Sequence, residues 1–294
     1  MSPTERKQKA GGNKMMLPPF LESEKSLKKL KIKDKIIERR GTTLYKVSNG
    51  TKTFALKIAH QASLENDATL QILAEAKLLN DNPNICQGLL VEFGTTQGID
   101  WSLLNWIDGP SATDLGKNLR EQKHFQAYEF SKIFMQMAQS LMPAHQLGIL
   151  HGDLQPTHFL GFENSCKLID WGLAPSIIAG TYRGGLTHYT APEVAAQLID
   201  RDEAEYKVTA EIYSLAAVFF TLCNGVVPMN YGIHGNEEPR NTKLEAIAGY
   251  RRNHTKTSSN ALTRLIEMGL SKNPSERFQS LEDFWGALNA LREH

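Results

Sequence analysis

The chain has 294 residues, 41% of them hydrophobic, and a formal net charge of +1 at pH 7, which suits one large or two small domains with a sizeable core. No apolar run approaches the roughly 18 residues of a membrane span and the N-terminus lacks the apolar core of a signal peptide, so we expect neither a transmembrane segment nor secretion. Three widely spaced cysteines in apolar contexts, Cys86, Cys166 and Cys223, argue against a disulfide framework or a metal cluster and predict a reducing, cytoplasmic location.

The N-terminal segment is basic. Residues 1–40 contain twelve Lys and Arg and five Asp and Glu, a net +7, so the remaining 21 basic and 27 acidic residues sum to −6. Paired glycines and prolines are typical of flexible chain, and residues 1–28 are predicted to form a flexible basic leader. This leader is a candidate surface for an acidic partner, and no specific nucleic-acid motif accompanies it. The lysines that alternate with Leu30 and Ile32 favour the solvated face of a first strand instead.

Strand patterns follow the leader. Alternating apolar residues predict strands at 29–37, 43–48 and 53–59, and Asn49-Gly50 between the last two is the strongest short-range signal for a hairpin. Beyond them the pattern predicts a helix at 64–80 and two more strands at 89–93 and 101–106.

After Asp108-Gly109-Pro110 the chain becomes predominantly helical. Its periodicity predicts helices at about 126–146, 208–224, 243–252, 259–270 and 280–292. A β-rich first third followed by a helical remainder indicates an α+β fold of two lobes, which we place at residues 29–108 and 109–294. No internal repeat is present.

Two charged residues are distinctive in the first lobe. Lys57 lies where the alternation of strand 53–59 directs a long cation to the inner face, and Glu75 lies in the middle of the apolar stripe of helix 64–80. An unpaired carboxylate on an apolar face is expensive, so we expect Glu75 to pair with Lys57. A surface lysine with a snorkelling stem is the alternative for Lys57.

Residues 151–172 carry two further carboxylates, Asp153 and Asp170, on two turns about seventeen residues apart. Short apolar pairs between them predict two short strands. One acid that orients a hydroxyl and one that holds a metal ion is the combination that phosphoryl transfer needs. The alternative is ordinary turn chemistry, with Asp153 before Pro156 and Asp170 capping a turn beside Trp171.

This segment resembles the catalytic loop and metal-binding turn of the protein-kinase-like superfamily, and the chain looks closest to serine/threonine protein kinases. Against the pattern H-R-D-L-x-x-x-x-N followed by D-F-G, it keeps His151, Asp153, Leu154, Asp170 and Gly172. Lys57 and Glu75 likewise resemble the strand-three lysine and the helix-C glutamate. The resemblance implies a bilobal protein-kinase-like fold, with a small antiparallel β-rich N-lobe that holds one main helix and a larger, mainly helical C-lobe.

Three motifs later in the chain tie the second lobe to protein kinases. Ala191-Pro192-Glu193 resembles the end of the activation segment. The helix from Glu211, where Asp is usual, and the turn that ends at Pro228 resemble the buried central helix and its Gly-x-x-Pro turn. Asn273-Pro274-Ser-Glu-Arg277 resembles the late D-P-x-x-R motif, and the resemblance implies a buried ion pair between its Arg and Glu193.

The resemblance implies ATP and Mg²⁺ (or Mn²⁺) as cofactors and a protein as substrate or regulated partner. It assigns the proton of the attacking hydroxyl to Asp153, phosphate contact to Lys57 with Glu75 as its partner, and metal binding to Asp170. Gln155 and His158 stand where the catalytic-loop Lys and the metal-binding Asn are expected, which makes Gln155 a candidate catalytic residue and His158 a candidate metal ligand. The implied adenine site consists of Ala55, Leu104 and Leu160 and the backbone of Asn105 and Ile107, although plain lobe core also explains the three apolar residues.

Several departures weaken the match. The glycine-rich loop keeps one glycine, Gly41, and Gln155 cannot supply the charge of a lysine. The imidazole of His158 is a softer ligand than Mg²⁺ prefers, which implies weaker metal binding or one firmly held ion. Gly152 replaces the Arg that would bind a phosphorylated activation loop, so we predict activity that does not depend on phosphorylation of that loop.

Three functions remain open on these residues. An ATP-dependent protein Ser/Thr kinase is favoured. A pseudokinase that serves as a binding or scaffold module is favoured by the departures and opposed by the retention of Lys57, Glu75, Asp153 and Asp170. The motifs His-Gly-Asp and Ile-Asp-Trp-Gly also resemble those of small-molecule kinases of the aminoglycoside or choline type. Those kinases, however, lack the three later motifs that this chain contains.

Overall fold

A computed structural model describes residues 18–25, 27–39, 41–59, 67–253 and 260–291. Most of the predicted flexible leader, residues 1–17, lies outside these ranges. These described residues divide into two compact units, one formed by those up to Leu73 together with Leu89–Trp106, and the other by Ala74–Gly88 together with those from Ile107 onward. A β-rich N-terminal region is followed by a helical region, as the sequence predicted.

The first unit is a five-stranded antiparallel sheet that consists of β1 (Lys31–Arg39), β2 (Thr42–Ser48), β3 (Thr53–Ala59), β4 (Leu90–Thr96) and β5 (Ile99–Asn105). The strands lie in the order β1-β2-β3-β5-β4. The Asn49-Gly50 turn joins β2 and β3 as predicted, and Asn49 Oδ1 accepts the amides of Thr51 (3.0 Å) and Lys52 (2.8 Å). Four of the five strands begin and end within about two residues of their predicted bounds, and β4 ends three residues beyond its predicted end.

The strand register gives this sheet two different faces. Directly opposed residues of antiparallel strands point to the same face, so Leu56 with Leu103 and Ile58 with Trp101 form one face, which is the core of the unit. The other face carries Ala55 opposite Leu104 and Lys57 opposite Ser102. The predicted lysine therefore lies on the face that does not form this core.

Part of the predicted leader belongs to this core, which corrects its boundary. A 3₁₀ helix covers Pro19–Ser23, and Leu21 and Leu27, both 0% exposed, pack with Leu30 among the core residues of the sheet. Burial of a leucine side chain contributes about 1.5–3 kcal/mol. The sequence interpretation missed these leucines because they are irregularly spaced among exposed lysines.

The second unit is mainly helical and includes the C-terminal half of α1 (Asp67–Asp81). Helix α1 is the described part of the helix predicted at 64–80. A two-stranded ribbon, β6 (Phe159–Leu160) and β7 (Lys167–Leu168), matches the predicted short strands. The remaining helices are α2 (Ala112–Arg120), α3 (Ala127–His145), α4 (Ala174–Ile178), α5 (Pro192–Arg201), α6 (Val208–Asn224), α7 (Arg240–Ala248), α8 (Ala261–Gly269) and α9 (Leu281–Ala290).

Short helices account for the differences from prediction. The helices α2, α4 and α5 were not predicted, although α7, α8 and α9, with nine or ten residues each, were. A capping box of Ser111 and Asp114 nevertheless marks the start of α2. Helix α7 begins after Pro239 and ends at Ala248, before Gly249, a few residues earlier than the predicted 243–252.

Helix α6 lies at the centre of the second unit and is buried on all sides, as a helix that is apolar all round should be. The rings of Phe134 in α3 and Phe219 in α6 stack at 3.9 Å, and Phe284 of α9 lies 5.7 Å from Phe219. These contacts hold the C-terminal half of α6, and Glu211 lies in its first turn. In the part of the chain that the structure describes, no helix is both long and apolar enough to cross a membrane.

Candidate active site

The loop from His151 to His158 is anchored by Glu211. This side chain is 1% exposed, and its carboxylate accepts the amides of His151 (2.9 Å to each oxygen) and Gly152 (3.0 Å). His145 Nε2 lies 3.1 Å from Glu211 Oε1. Burial by itself would raise the pKa of Glu211, but the hydrogen bond and charge of His145, together with the ring and amide of His151, outweigh it and lower that pKa. A charged, fully partnered carboxylate therefore holds the loop backbone.

His151 connects this loop to the turn that carries Asp170. It is fully buried, Nδ1 accepts the amide of Asp153 (3.2 Å), and Nε2–H donates to the carbonyl of Ile169 (3.0 Å). This pattern assigns the neutral Nε2–H tautomer. Burial and the nearby His158 lower the pKa of His151, which agrees with a neutral ring.

The carboxylate of Asp153 is held by two donors. Oδ1 accepts the amide of Leu186 at 2.7 Å and Oδ2 accepts Gln155 Nε2 at 3.1 Å. Burial raises the pKa of Asp153, and the amide of Leu186 offsets part of that effect. The geometry fixes the orientation of one acceptor group and places the predicted Gln155 in contact with it.

His158 and Asp170 lie side by side. His158 Nδ1–H donates to the carbonyl of Asp153 (3.0 Å), and its Nε2 lies 3.4 Å from Asp170 Oδ2. Asp170 has φ +67°, a left-handed conformation that is uncommon for a residue other than glycine. Its side chain is 48% exposed, so the carboxylate remains accessible.

The donor chemistry of this pair fits a divalent metal ion. Asp170 offers carboxylate oxygen, and His158 offers a ring nitrogen whose partner nitrogen donates to a backbone carbonyl, as is typical of metal-binding histidines. Among the described residues no group of three or more His, Cys, Asp and Glu could hold a metal. A metal here would therefore need further ligands, such as phosphate oxygens and water.

Glu75 is buried as predicted, at 3% exposure. Its Oε1 accepts the amide of Trp171 at 2.9 Å, a partner that the sequence did not reveal. Glu75 therefore supports the turn that follows Asp170. Its pairing with Lys57 stays a prediction, since Lys57 belongs to the sheet unit and Glu75 to the helical unit.

The predicted adenine-site residues divide between the two units. In the sheet unit, Ala55, Lys57 and Leu104 share one face, and the Asn105 amide donates to the carbonyl of Leu89 at 2.7 Å. In the helical unit, Ile107 lies close to Gly161, the residue that follows Leu160: a Cβ on Gly161 would lie 2.9 Å from Ile107 Cγ2. Leu160 also forms an isolated antiparallel β-bridge with Ser111, the residue before α2.

The ion pair implied for the late motif is confirmed. Arg277 is 0% exposed at its side chain, and its two terminal nitrogens donate to Glu193 Oε1 (2.7 Å) and Oε2 (2.8 Å). Arg277 also donates to the carbonyls of Thr209, Ser271 and Lys272. The pair joins the start of α5 to the segment between α8 and α9.

Sequence reasoning missed Tyr182. Its hydroxyl donates to the carbonyl of Gly152 at 2.7 Å and accepts the amide of Gly185 at 3.1 Å. The only sequence signal was indirect: a glycine where the family has arginine leaves space that another large residue must fill.

Comparison with known proteins gives the same family. The family model for the protein kinase domain matches residues 40–285. Three similar proteins are a probable serine/threonine-protein kinase of Clostridium perfringens (27% identical, covering 72% of this chain and 30% of that protein), the serine/threonine-protein kinase pkn3 of Myxococcus xanthus (25%; 82% and 45%) and PknJ of Mycobacterium tuberculosis (26%; 78% and 39%). The chain thus spans less than half the length of these relatives.

The region that the family model matches, residues 40–285, includes the motifs identified in the sequence. The matched region contains Lys57, Glu75, Asp153, Asp170 and Arg277. The resemblance predicted from the sequence is confirmed, and the chain belongs to the protein kinase family.

Proposed function

We propose that this chain is an ATP-dependent protein kinase that transfers the γ-phosphate to Ser or Thr hydroxyls of a protein. The observation that carries the proposal is the orientation of Asp153 by Leu186 and Gln155, next to the His158–Asp170 pair. Family membership and the names of the similar bacterial proteins support a protein acceptor. They oppose the small-molecule kinase that the wording of the two loops also suggested.

Each residue has a role in this proposal. Asp153 orients the acceptor hydroxyl and takes its proton, and Gln155 keeps Asp153 in place. Lys57, supported by Glu75, contacts the phosphates of ATP, and Asp170 with His158 holds Mg²⁺ or Mn²⁺. A bound divalent ion would neutralise phosphate charge there. Adenine is held by Ala55, Leu104, Leu160 and the backbone of Asn105 and Ile107.

The test is transfer of radiolabelled phosphate from ATP to the chain itself and to a generic protein substrate, with Mg²⁺ and with Mn²⁺. We expect incorporation by the unmodified chain and none by Lys57→Ala. Absence of incorporation with either metal, together with thermal stabilisation by ATP, would overturn the proposal in favour of a pseudokinase. Transfer to an aminoglycoside or choline but not to protein would favour the small-molecule kinase.

The pseudokinase is the second candidate because the contacts of the loop also suit a static role. Both carboxylate oxygens of Asp153 already accept hydrogen bonds within the unit. Gln155 brings no positive charge, and the glycine-rich loop keeps only Gly41. In this role the chain would act as a binding or scaffold module.

Replacing His158 with Asn is expected to reverse the metal preference from Mn²⁺ to Mg²⁺. Nitrogen ligation favours Mn²⁺ over Mg²⁺, so His158→Asn should weaken Mn²⁺ binding by roughly 10-fold or more. Electron paramagnetic resonance of free and bound Mn²⁺, in the presence of a non-hydrolysable ATP analogue, measures this directly. The control is the exposed neighbour in Thr157→Ala, which should leave Mn²⁺ binding unchanged; equal affinities in all three proteins would remove His158 from the site.

Replacing Thr181 with Ala is expected to leave activity unchanged within about twofold. Six residues of the segment 173–190 bear a hydroxyl. Tyr182, Thr187, Tyr189 and Thr190 are buried, and Ser176 is partly buried with its hydroxyl donated to the carbonyl of Leu173, whereas Thr181 is exposed. Thr181 is thus the accessible acceptor for activation-segment phosphorylation, and the proposed kinase does not require that modification. Loss of activity in Thr181→Ala that Thr181→Glu restores would contradict this.

The proposal includes a cytoplasmic location and an acidic partner for the basic N-terminal segment. The three cysteines are free and buried, and burial raises the pKa of Cys86 to about 11. Such thiols are small, unreactive core residues that need no oxidising compartment.

A further inference from the structure

Gly152 has no room for a side chain. It has φ +79°, and a Cβ there would lie 2.6 Å from Ile177 Cδ1 and 3.0 Å from Tyr182 Cε2. Both the backbone conformation and the surrounding atoms therefore disfavour an arginine at this position. The space next to the catalytic loop is filled instead by two side chains of the segment between Asp170 and Glu193.

Tyr182 is the residue that joins the two segments. It is 2% exposed, and its hydroxyl donates to the Gly152 carbonyl while accepting the Gly185 amide. Burial raises the pKa of Tyr182, so the hydroxyl keeps its proton and stays a donor. The ring packs at 4.6 Å from that of Tyr206, and the Tyr182 carbonyl accepts the amide of Ala204 at 2.9 Å. A buried hydroxyl cannot serve as a phosphorylation site without leaving this position.

The contact continues from Tyr182 to the carboxylate of Asp153. A side chain on Gly185 would collide with Asp153 Oδ1, so the segment runs directly against that carboxylate. The next residue, Leu186, donates its amide to the same oxygen. These three hydrogen bonds, together with the peptide bonds Gly152–Asp153 and Gly185–Leu186, form one closed circuit through Tyr182.

We propose that Tyr182 replaces the usual pair of a phosphorylated residue and a catalytic-loop arginine, and that its hydroxyl locks the segment around Gly185 and Leu186 to the catalytic loop. In this way the Leu186 amide stays on Asp153 without any modification of the chain. Tyr182 is a positioning residue, since it does not contact the reacting groups. This inference rests on the proposed kinase activity for its kinetic part and on hydrogen bonding alone for its structural part.

The test compares Tyr182→Phe with Tyr206→Phe, its buried neighbour. Within the described part of the chain, the Tyr206 hydroxyl bonds Ser214 in α6 (3.1 Å) and not the catalytic loop. Its replacement therefore removes a comparable buried hydroxyl from the ring that packs against Tyr182. In Tyr182→Phe we expect hydrogen exchange at the Gly185 and Leu186 amides to rise about 5- to 10-fold, the loss expected for one buried hydrogen bond. Tyr206→Phe should leave exchange at these two amides unchanged.

The kinetic arm uses the same variants. In Tyr182→Phe we expect kcat to fall about 5- to 10-fold with the KM for ATP unchanged, because the lost bond positions Asp153 and not the nucleotide. Phosphatase treatment of the unmodified chain should have no effect on kcat. Unchanged exchange in Tyr182→Phe, an equal fall of kcat in both variants, or inactivation by phosphatase would each overturn the inference. If the unmodified chain transfers no phosphate, the proposed function fails, and the exchange comparison still decides whether Tyr182 locks the segment.

Discussion

Replacing Asp153 with Asn is expected to reduce kcat for phosphate transfer by roughly 10²- to 10⁴-fold, the usual contribution of a positioned acid or base. Asparagine keeps the oxygen that accepts the Leu186 amide and the size of the side chain, but it cannot take the proton of the acceptor hydroxyl. Initial rates with radiolabelled ATP measure the effect.

The same variant should not lose thermal stability. Burial raises the pKa of Asp153, so the folded chain holds the charged carboxylate at a cost that a neutral amide avoids. We expect the Tm of Asp153→Asn to equal or exceed that of the unmodified chain. The matched control is Asp200→Asn at an exposed site on α5 (72% exposed), which should change neither rate nor Tm. An Asp153→Asn variant that keeps full activity would make Asp153 an ordinary turn residue.

The largest effect on stability is expected for Arg277→Ala. The guanidinium is fully buried between Glu193 and three backbone carbonyls, and removal of one partner of a buried pair destabilises by about 3–5 kcal/mol. Glu193 is 29% exposed, so water can replace part of the interaction that its carboxylate loses. We therefore expect the loss in free energy of unfolding to lie at the lower end of that range. Chemical denaturation followed by circular dichroism gives the free energy of unfolding.

The control for Arg277 is an ion pair at the surface of the same unit. Arg183 is 58% exposed and donates to Glu203 at 3.1 Å, and exposed pairs contribute at most about 1 kcal/mol. Arg183→Ala should therefore lower the free energy of unfolding far less than Arg277→Ala. Similar losses in the two variants would show that the pair with Glu193 adds no more than a surface contact.

Long periodic segments and strong turns were predictable from the sequence. The apolar pattern of α6 gave both of its ends, 208 and 224, and that of α3 came within one residue at each end. Asn49-Gly50 predicted the hairpin correctly, because a tight turn needs a residue that tolerates positive φ, and Gly50 has φ +99°. Short elements such as α2 and α5, and the buried leucines before β1, were missed since their identity depends on what covers them.

In the candidate site, too, some features were predictable from the sequence and others depended on the tertiary structure. Residue types and spacing along the chain determined the family and named Lys57, Glu75, Asp153, Asp170 and Arg277, because phosphoryl transfer and lobe packing restrict which residues can stand at those positions. Only the tertiary structure decided that Glu75 accepts the amide of Trp171, 96 residues away, and that His158 directs one particular ring nitrogen to Asp170. It also decided that Tyr182 fills the space beside Gly152. Local patterns set periodicity and turns, whereas these partners meet through the packing of distant segments, and a single sequence carries no periodic signal for such contacts.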